Sequence, residues 1–353
     1  MNMRSEETLR SELAKVAPGT ALREGLDYIL SARTGALIVI GDDKNVAALC
    51  NGGFDIDTPF SAQKMFELAK MDGAIVMDAD LKTIRRANVH LVPNPELETS
   101  ETGMRHRTAQ RVSRQTSALV ISISQRRDVV SLYLDGQRII LEDTEVVLAK
   151  ANQALQTLQR YRARLDKVLE RLTVLEFDDI VTLGDLAEAL GRFEMVRRVA
   201  HEVARYIAQL GTEGRLVRMQ AEELTATVDD DYLLVIRDYA IDPAPRKASA
   251  IRTALGRLTP DQFMEVSVVA QMLGLPTDVQ SSEDHLRPRG FRVLRRVPLL
   301  PTSVVTRIVD RFGTMPELLR ATQAQLDDVD GVGARRARAI IEGLARMRAR
   351  LAT

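Results

Sequence analysis

The sequence predicts an α/β N-terminal domain, a mixed sheet flanked by helices, followed by an all-α middle domain and an all-α C-terminal unit of helical hairpins. Three observations predict this. Over roughly the first 140 residues, short apolar runs of strand length alternate with stretches of helical periodicity. Beyond Asp143 the apolar residues recur only at three- and four-residue steps, the spacing of amphipathic helices. Near the C-terminus, short helical segments surround Gly331-Val332-Gly333, where two glycines mark a tight turn.

The elements follow in order. Residues 22–31 read as a helix and 36–40, an unbroken Ala-Leu-Ile-Val-Ile, as a buried strand. Ser61 has N-cap character and opens a helix over 61–70. Strands are expected at 74–78 and 83–91, a helix at 108–115 and a strand at 118–124. Residues 129–134 and 137–141 form a hairpin on the favoured two-residue turn Asp135-Gly136. Ala151, Leu155, Leu158, Leu165, Leu169 and Leu172 make one stripe of a long helix. Further helical stretches cover 186–210 and 231–239; Pro243 and Pro245 then break the chain before a helical run from 248 to 273. The polar segment 277–289 reads as a linker. After it, a helix over 303–312 stops at Gly313, and another covers 315–321 with Pro316 in its first turn. The expected domains are therefore 1–142, 143–289 and 290–353.

Composition narrows the function. The 353 residues, 45% hydrophobic and 28% charged, describe a soluble globular protein of two or three domains. Trp is absent and aromatics are 4%, which argues against aromatic platforms for single-stranded nucleic acid. The single cysteine, Cys50, excludes an intrachain disulfide and fits a reducing cytoplasm. No apolar run reaches the ~20 residues of a membrane span, and the N-terminal segment lacks the apolar core of a secretory signal. The net charge of zero hides an uneven distribution: residues 291–353 hold twelve Arg against six Asp or Glu. A basic end on a neutral protein suggests contact with a polyanion.

That end carries a motif. Leu326, Val329, Val332, Ala337 and Ile340 are apolar positions arranged around Gly331 and Gly333. The pattern resembles the helix-hairpin-helix motif, and 298–350 is similar to the tandem helix-hairpin-helix domains of Holliday-junction-binding and excision-repair proteins. Two glycines let a hairpin backbone approach a phosphate, and the N–H groups opening the next helix point toward it. Arg335, Arg336 and Arg338 add charge beside that helix start. Such a unit grips backbone phosphates without reading bases, so binding should be sequence-independent and salt-sensitive. A protein-interaction hairpin is the plainer alternative; the agreement of motif, flanking helices and charge favours DNA.

The familiar catalytic signatures are missing: there is no GxxxxGK[ST], HExxH, CxxC or GxSxG. His90, His201 and His285 have no partners at metal-ligand spacing and read as structural. Two clusters remain, Asp72-Gly73-Ala74 between a helix and a strand, and Thr102-Gly103-Met104-Arg105-His106-Arg107-Thr108 ahead of a helix. Alone, Asp72-Gly73 reads as a turn. Positive charge at a helix start opposes the helix dipole and calls for an anion. In order and spacing the two clusters resemble the Asp-Gly-Ala and Arg-His-Arg motifs of the diadenylate cyclase family, and with the helical middle and hairpins the chain is similar to its DNA-integrity scanning branch over nearly its whole length.

The resemblance implies condensation of two ATP into cyclic di-AMP with release of pyrophosphate, supported by Mg²⁺ or Mn²⁺. Asp72 would hold the metal or orient the attacking hydroxyl, and Gly73 would let backbone lie against nucleotide. Arg105 and Arg107 would clamp phosphates, with His106, Gly103 and Thr108 contributing further contacts. Leu91 would line the adenine pocket and Ser124 would approach the triphosphate. Met104 stands where many members carry Thr, so one hydroxyl near the phosphates is lost while the backbone N–H stays. A product of two equivalent halves suggests two sites facing each other across a two-fold axis. The family implies an octamer, a cytoplasmic, nucleoid-associated location, and branched or junction DNA as partner. The rival reading is a non-enzymatic, nucleotide-sensing DNA-repair accessory protein.

Overall fold

The structure, a computed structural model, describes residues 3–125, 129–276 and 278–351. The chain divides into two compact units, Met1–Gln153 with Val203–Met219, and Ala154–Glu202 with Gln220–Thr353.

The first unit holds α1 (Met3–Lys15), α2 (Ala21–Ser31), β1 (Ala36–Ile40), α3 (Lys44–Leu49), β2 (Cys50–Asn51), β3 (Phe54–Pro59), α4 (Ala62–Leu68), β4 (Ala74–Met77), β5 (Thr83–Leu91), α5 (Met104–Gln115), β6 (Leu119–Ser124), β7 (Val129–Leu134) and β8 (Gln137–Ile140). The strands form one mixed sheet in the order β2-β5-β4-β1-β6-β7-β8, with β3 also paired to β5. The β1–β4 pairing is parallel and the other pairings are antiparallel. Alternation along the strands builds two cores. Ala36, Ile38 and Ile40 face one side together with Ile121, Leu132 and the α2 residues Leu22, Leu26 and Ile29. Leu37 and Val39 face the other, with Val120, Tyr133 and the α5 residues Ala109 and Val112. The period of two in a strand thus sends neighbouring residues into different layers.

Most expected elements are present within a residue or two. Ser61 caps α4 by accepting from the Lys64 N–H. Periodicity does not mark α1, α3, β2 or β3; α3 is capped by the Asp43 side chain, and β3 is an edge strand rich in Asp. The expected helix over 108–115 starts four residues earlier, at Met104, because Gly103 is extended (φ −81°, ψ 139°) and serves as the N-cap. Arg105, His106 and Arg107 therefore sit in the first helical turn.

The remaining helices are α6 (Thr144–Asp178), α7 (Leu183–Leu210), a 3₁₀ turn Gly211–Gly214, α8 (Arg215–Thr225), α9 (Val228–Tyr239), α10 (Pro245–Leu255), α11 (Pro260–Met264), α12 (Val266–Leu273), α13 (Phe291–Arg295), α14 (Thr302–Phe312), α15 (Met315–Arg320), α16 (Gln323–Asp327) and α17 (Gly333–Leu351). The single helix expected over 248–273 is three, interrupted after Leu255 and at Glu265. A Thr259–Gln262 capping box with Pro260 in the first turn starts a new helix there. Pro245 opens α10 for the same reason. Within 277–289, residue 277 lies outside the described residues, and His285 forms a single β-bridge with Thr182.

In the second unit Asp238, fully buried near the end of α9, accepts from the N–H groups of Gly290 (2.8 Å), Phe291 (2.6 Å) and Arg292 (3.1 Å), which open α13. Arg292 in turn donates to Glu176 and to Thr173 Oγ1 (3.0 Å) on α6, and Tyr239 donates to Glu176 (2.9 Å). This charged network lies beside the apolar core that Phe177 shares with α13, α14 and α17. No helix among the described residues is long and apolar enough to cross a membrane.

Candidate functional site

The sheet brings the N-terminal motif residues to one edge. β1 and β4 are parallel with Leu37 opposite Ala74, while β5 and β6 run the other way, with Val89 opposite Ala74 and Ile123 opposite Ala36. The starts of β1 and β4 and the ends of β5 and β6 therefore lie together. Asp72 and Gly73 precede β4; Leu91 and Ser124 end β5 and β6. The N-terminus of α5 comes to the same edge: Arg105 Nη2 is 3.1 Å from Asp72 Oδ1. Asp72 is 96% exposed at its side chain and Arg105 41%, so both reach solvent.

Local packing explains how Arg105 is aimed. A Cβ on Gly35 would lie 2.4 Å from Arg105 Nη1 and 3.3 Å from the Ile123 carbonyl oxygen. The guanidinium occupies the space a side chain would take, and any larger residue at 35 must displace it. Gly73 has a comparable constraint: its Cβ would lie 2.7 Å from the Asn88 Cα and carbonyl carbon, where Asn88 has φ 55°. The protein's own backbone thus requires glycine at 73, whatever else approaches it.

The first turn of α5 carries no acidic residue to complement its N–H groups. Its leading N–H groups have no intrahelical acceptor, and Gly103 offers no side-chain cap. Arg107 is exposed and its side chain makes no hydrogen bond or ion pair among the described residues. Thr108 is half-buried, and Met104 is 84% exposed. This end of α5 thus presents uncapped N–H donors, with the Arg105 guanidinium beside the Asp72 carboxylate and Arg107 exposed two residues on. Leu91 is packed into the core at 5% exposure, beside the exposed Val92, and Ser124 is half-buried.

His106 points back toward the sheet, its Nδ1 2.9 Å from the Tyr133 hydroxyl. Burial first, then the nearby Glu101 carboxylate, push the Tyr133 phenol well above its ordinary pKa, with Arg138 opposing. Arg138 joins Glu101 (3.3 Å) and Ser131 Oγ (3.1 Å). Gln110, buried on α5, donates to the Gly136 carbonyl (3.0 Å) and accepts from Thr99 (2.6 Å) and the Ser100 N–H (3.1 Å). These contacts fix the loop before α5 to the β7–β8 hairpin. Sequence reasoning missed Gly35, Glu101, Tyr133 and Arg138. The position of Tyr133 among alternating strand residues was the one available signal, since it places the phenol on the α5 side.

Among the described residues no three His, Cys, Asp or Glu cluster as a ready-made metal cage. A lone exposed carboxylate such as Asp72 suits Mg²⁺ or Mn²⁺ carried largely by nucleotide phosphates and water.

The C-terminal motif forms a turn between α16 and α17. Gly331 (φ 82°) and Gly333 (φ 59°) both occupy the left-handed region. Nothing lies within 4 Å of the Cβ direction at Gly333, whereas at Gly331 Arg307 Nη2 would be 2.7 Å away. Arg336 donates to the Gly331 carbonyl, and Arg307 pairs with Asp330 (3.2 Å). Arg335 and Arg338 point outward and are exposed. Val332 to Arg336 and Leu299, which has φ 69°, line a hollow of about 400 Å³.

Residues 23–138 match the family model described as DisA bacterial checkpoint controller nucleotide-binding, and residues 141–282 match the one described as DisA bacterial checkpoint controller linker region. The chain is 51% identical over 340 residues to the DNA integrity scanning protein DisA of Symbiobacterium thermophilum, covering 96% of each chain. It is 48% identical to that of Carboxydothermus hydrogenoformans, covering 97% of each, and 47% identical to that of Streptomyces avermitilis, covering 96% of this chain and 91% of the relative.

Proposed function

Because the chain belongs to the DisA family, we propose that it condenses two ATP molecules into cyclic di-AMP and couples this to sequence-independent binding of branched DNA. The observation that carries the reading is the meeting of Asp72 and Arg105 at an exposed sheet edge beside the uncapped, basic N-terminus of α5. In each half-reaction a ribose 3′-oxygen attacks the α-phosphorus of the second ATP in line. The bond to the β-phosphate oxygen breaks, and pyrophosphate leaves. Asp72 orients the attacking hydroxyl or holds Mg²⁺ or Mn²⁺, which neutralises phosphate charge when bound. Arg105, Arg107 and the N–H groups following Gly103 position the phosphates. His106 is held by Tyr133 next to them. Gly73, Leu91, Met104, Thr108 and Ser124 complete the nucleotide surroundings.

One domain holds one ATP, so the active unit is a face-to-face dimer within a larger homo-oligomer, an octamer by family. Residues 1–142 carry the chemistry, 143–289 the helical linker, and 290–353 a tandem helix-hairpin-helix domain. In that domain Gly331 and Gly333 bring backbone to a DNA phosphate, and Arg335, Arg336 and Arg338 supply charge and turn rigidity. The protein works in the cytoplasm, at the nucleoid.

Incubating pure protein with ATP and either metal, then assaying by mass, should yield cyclic di-AMP. Nucleotide binding without any product, in a dimeric sample, would favour the accessory-protein reading. Replacing Arg335 and Arg338 by Gln should weaken binding to branched DNA and flatten its salt dependence; unchanged binding would remove the hairpin from the proposal.

A further inference from the structure

The second unit contains a cavity of about 220 Å³ among α9, α10, α13 and α14, lined by none of the residues named in either motif. Leu233, Leu234, Phe291 and Val305 give it apolar walls, and Arg237 lines it. Arg237 is only 7% exposed. Its Nε donates to the Pro243 carbonyl (2.9 Å), and its guanidinium lies 3.9 Å from the Phe291 ring centroid. Its two Nη groups make no hydrogen bond or ion pair among the described residues. The neighbouring Asp238 is occupied by three backbone N–H groups, and Asp310 acts on Arg237 only at longer range.

Neither Nη is sealed from solvent, unlike Arg292 Nε and Nη1, so both open onto the cavity, where an anion can take the place of water. Burial holds the Arg237 pKa below its ordinary value, with Asp238 and Asp310 opposing. We propose that this cavity is a binding site for a small organic carboxylate with a compact apolar body. A planar carboxylate matches the two-donor fork of one guanidinium, whereas the apolar walls give a bare phosphate nothing to bind. Asp230 at the cavity disfavours polyanions, and Ser249 and Arg295 are placed to bond a second polar group of the ligand. The volume is below the ~300 Å³ of drug-sized pockets and suits a single ring.

The test is titration of the full-length protein with benzoate, its neutral isostere benzamide and inorganic phosphate, followed by ligand-observed NMR. Benzoate should bind saturably, on the order of millimolar, at least about tenfold more tightly than benzamide and without competition from phosphate. Arg237→Gln should abolish that preference. Ser249→Trp, which fills the cavity from the half-buried face of α10, should abolish binding while the melting temperature stays near that of the native protein. Benzamide binding as well as benzoate, benzoate binding retained in both variants, or no saturable binding of benzoate would each overturn the proposal.

Discussion

Two arginine–carboxylate pairs, one in each unit, share a chemistry and differ in burial. Arg105 and Asp72 are 41% and 96% exposed at their side chains; Arg292 and Glu176 are 1% exposed each. An exposed pair contributes about 0–1 kcal/mol to folding, so the fold does not depend on it and its charges stay available to a ligand. A buried pair is different. Arg292 Nε and Nη1 find no acceptor, so the network is not an optimised source of stability, yet removing one partner strands a charge in the core. The exposed pair is the one the architecture can spare, so its charges are free for the role proposed above.

The largest effect should come from splitting the buried pair. Glu176→Gln is expected to cost about 3–5 kcal/mol in denaturant unfolding, and an apolar Arg292→Met, Glu176→Leu double variant should recover much of it. A cost below about 1 kcal/mol would erase the contrast. Next, Asp72→Asn should lower cyclic di-AMP turnover by ~10²-fold or more while unfolding shifts by no more than about 0.5 kcal/mol. Native-like turnover would remove Asp72 from the chemistry. Gly35→Ala sharpens the comparison, because its Cβ presses chiefly on the Arg105 guanidinium and less closely on the Ile123 carbonyl. Turnover should fall about tenfold, about 1.4 kcal/mol, with the loss in kcat exceeding any change in stability. A variant that loses folding and activity in proportion would make Gly35 merely structural.

The smallest effect concerns pH. Burial foremost, then Glu176, push the Asp238 carboxyl up to about 7, against the pull of its backbone N–H donors and Arg292. The folded state then holds a proton that the unfolded chain releases near its ordinary pKa of about 3.9. This contribution to stability is full at low pH and is lost as pH rises through about 7. Between pH 8 and 6 the native protein should gain about 1 kcal/mol relative to an Asp238→Asn variant, read from paired unfolding curves. Parallel pH profiles would refute the shift.

Much of this was legible in the chain. Short apolar runs mark β1 and β4, which are buried on both faces, and apolar residues bounded by turns mark β5, β6 and the β7–β8 hairpin. The edge strand β3 is not legible: Phe54-Asp55-Ile56-Asp57 alternates for only four residues, and no residue of the strand is buried, so no core lengthens the pattern. The start of α5 is hidden for a related reason. Arg105-His106-Arg107 looks unlike a helix, and only the extended Gly103 reveals where the helix begins. In the same way, the helical run expected over 248–273 hides the Thr259–Gln262 capping box that divides it.

The sequence by itself determined the layers of the first unit, the helical character of the rest, and which residue types gather in the two motifs. Tertiary structure decided which of those residues meet. Gly35, Asp72, Arg105 and Ser124 are distant along the chain, and only the pairing of β1 with β4 and β6 sets them on one edge. Likewise Arg237 and Arg292 resemble any other arginines of the chain until packing buries them. Burial and the partners that packing supplies together fix whether a charge serves the fold or stands ready for a ligand, because desolvation and pairing depend on every neighbour in space and on no single stretch of sequence.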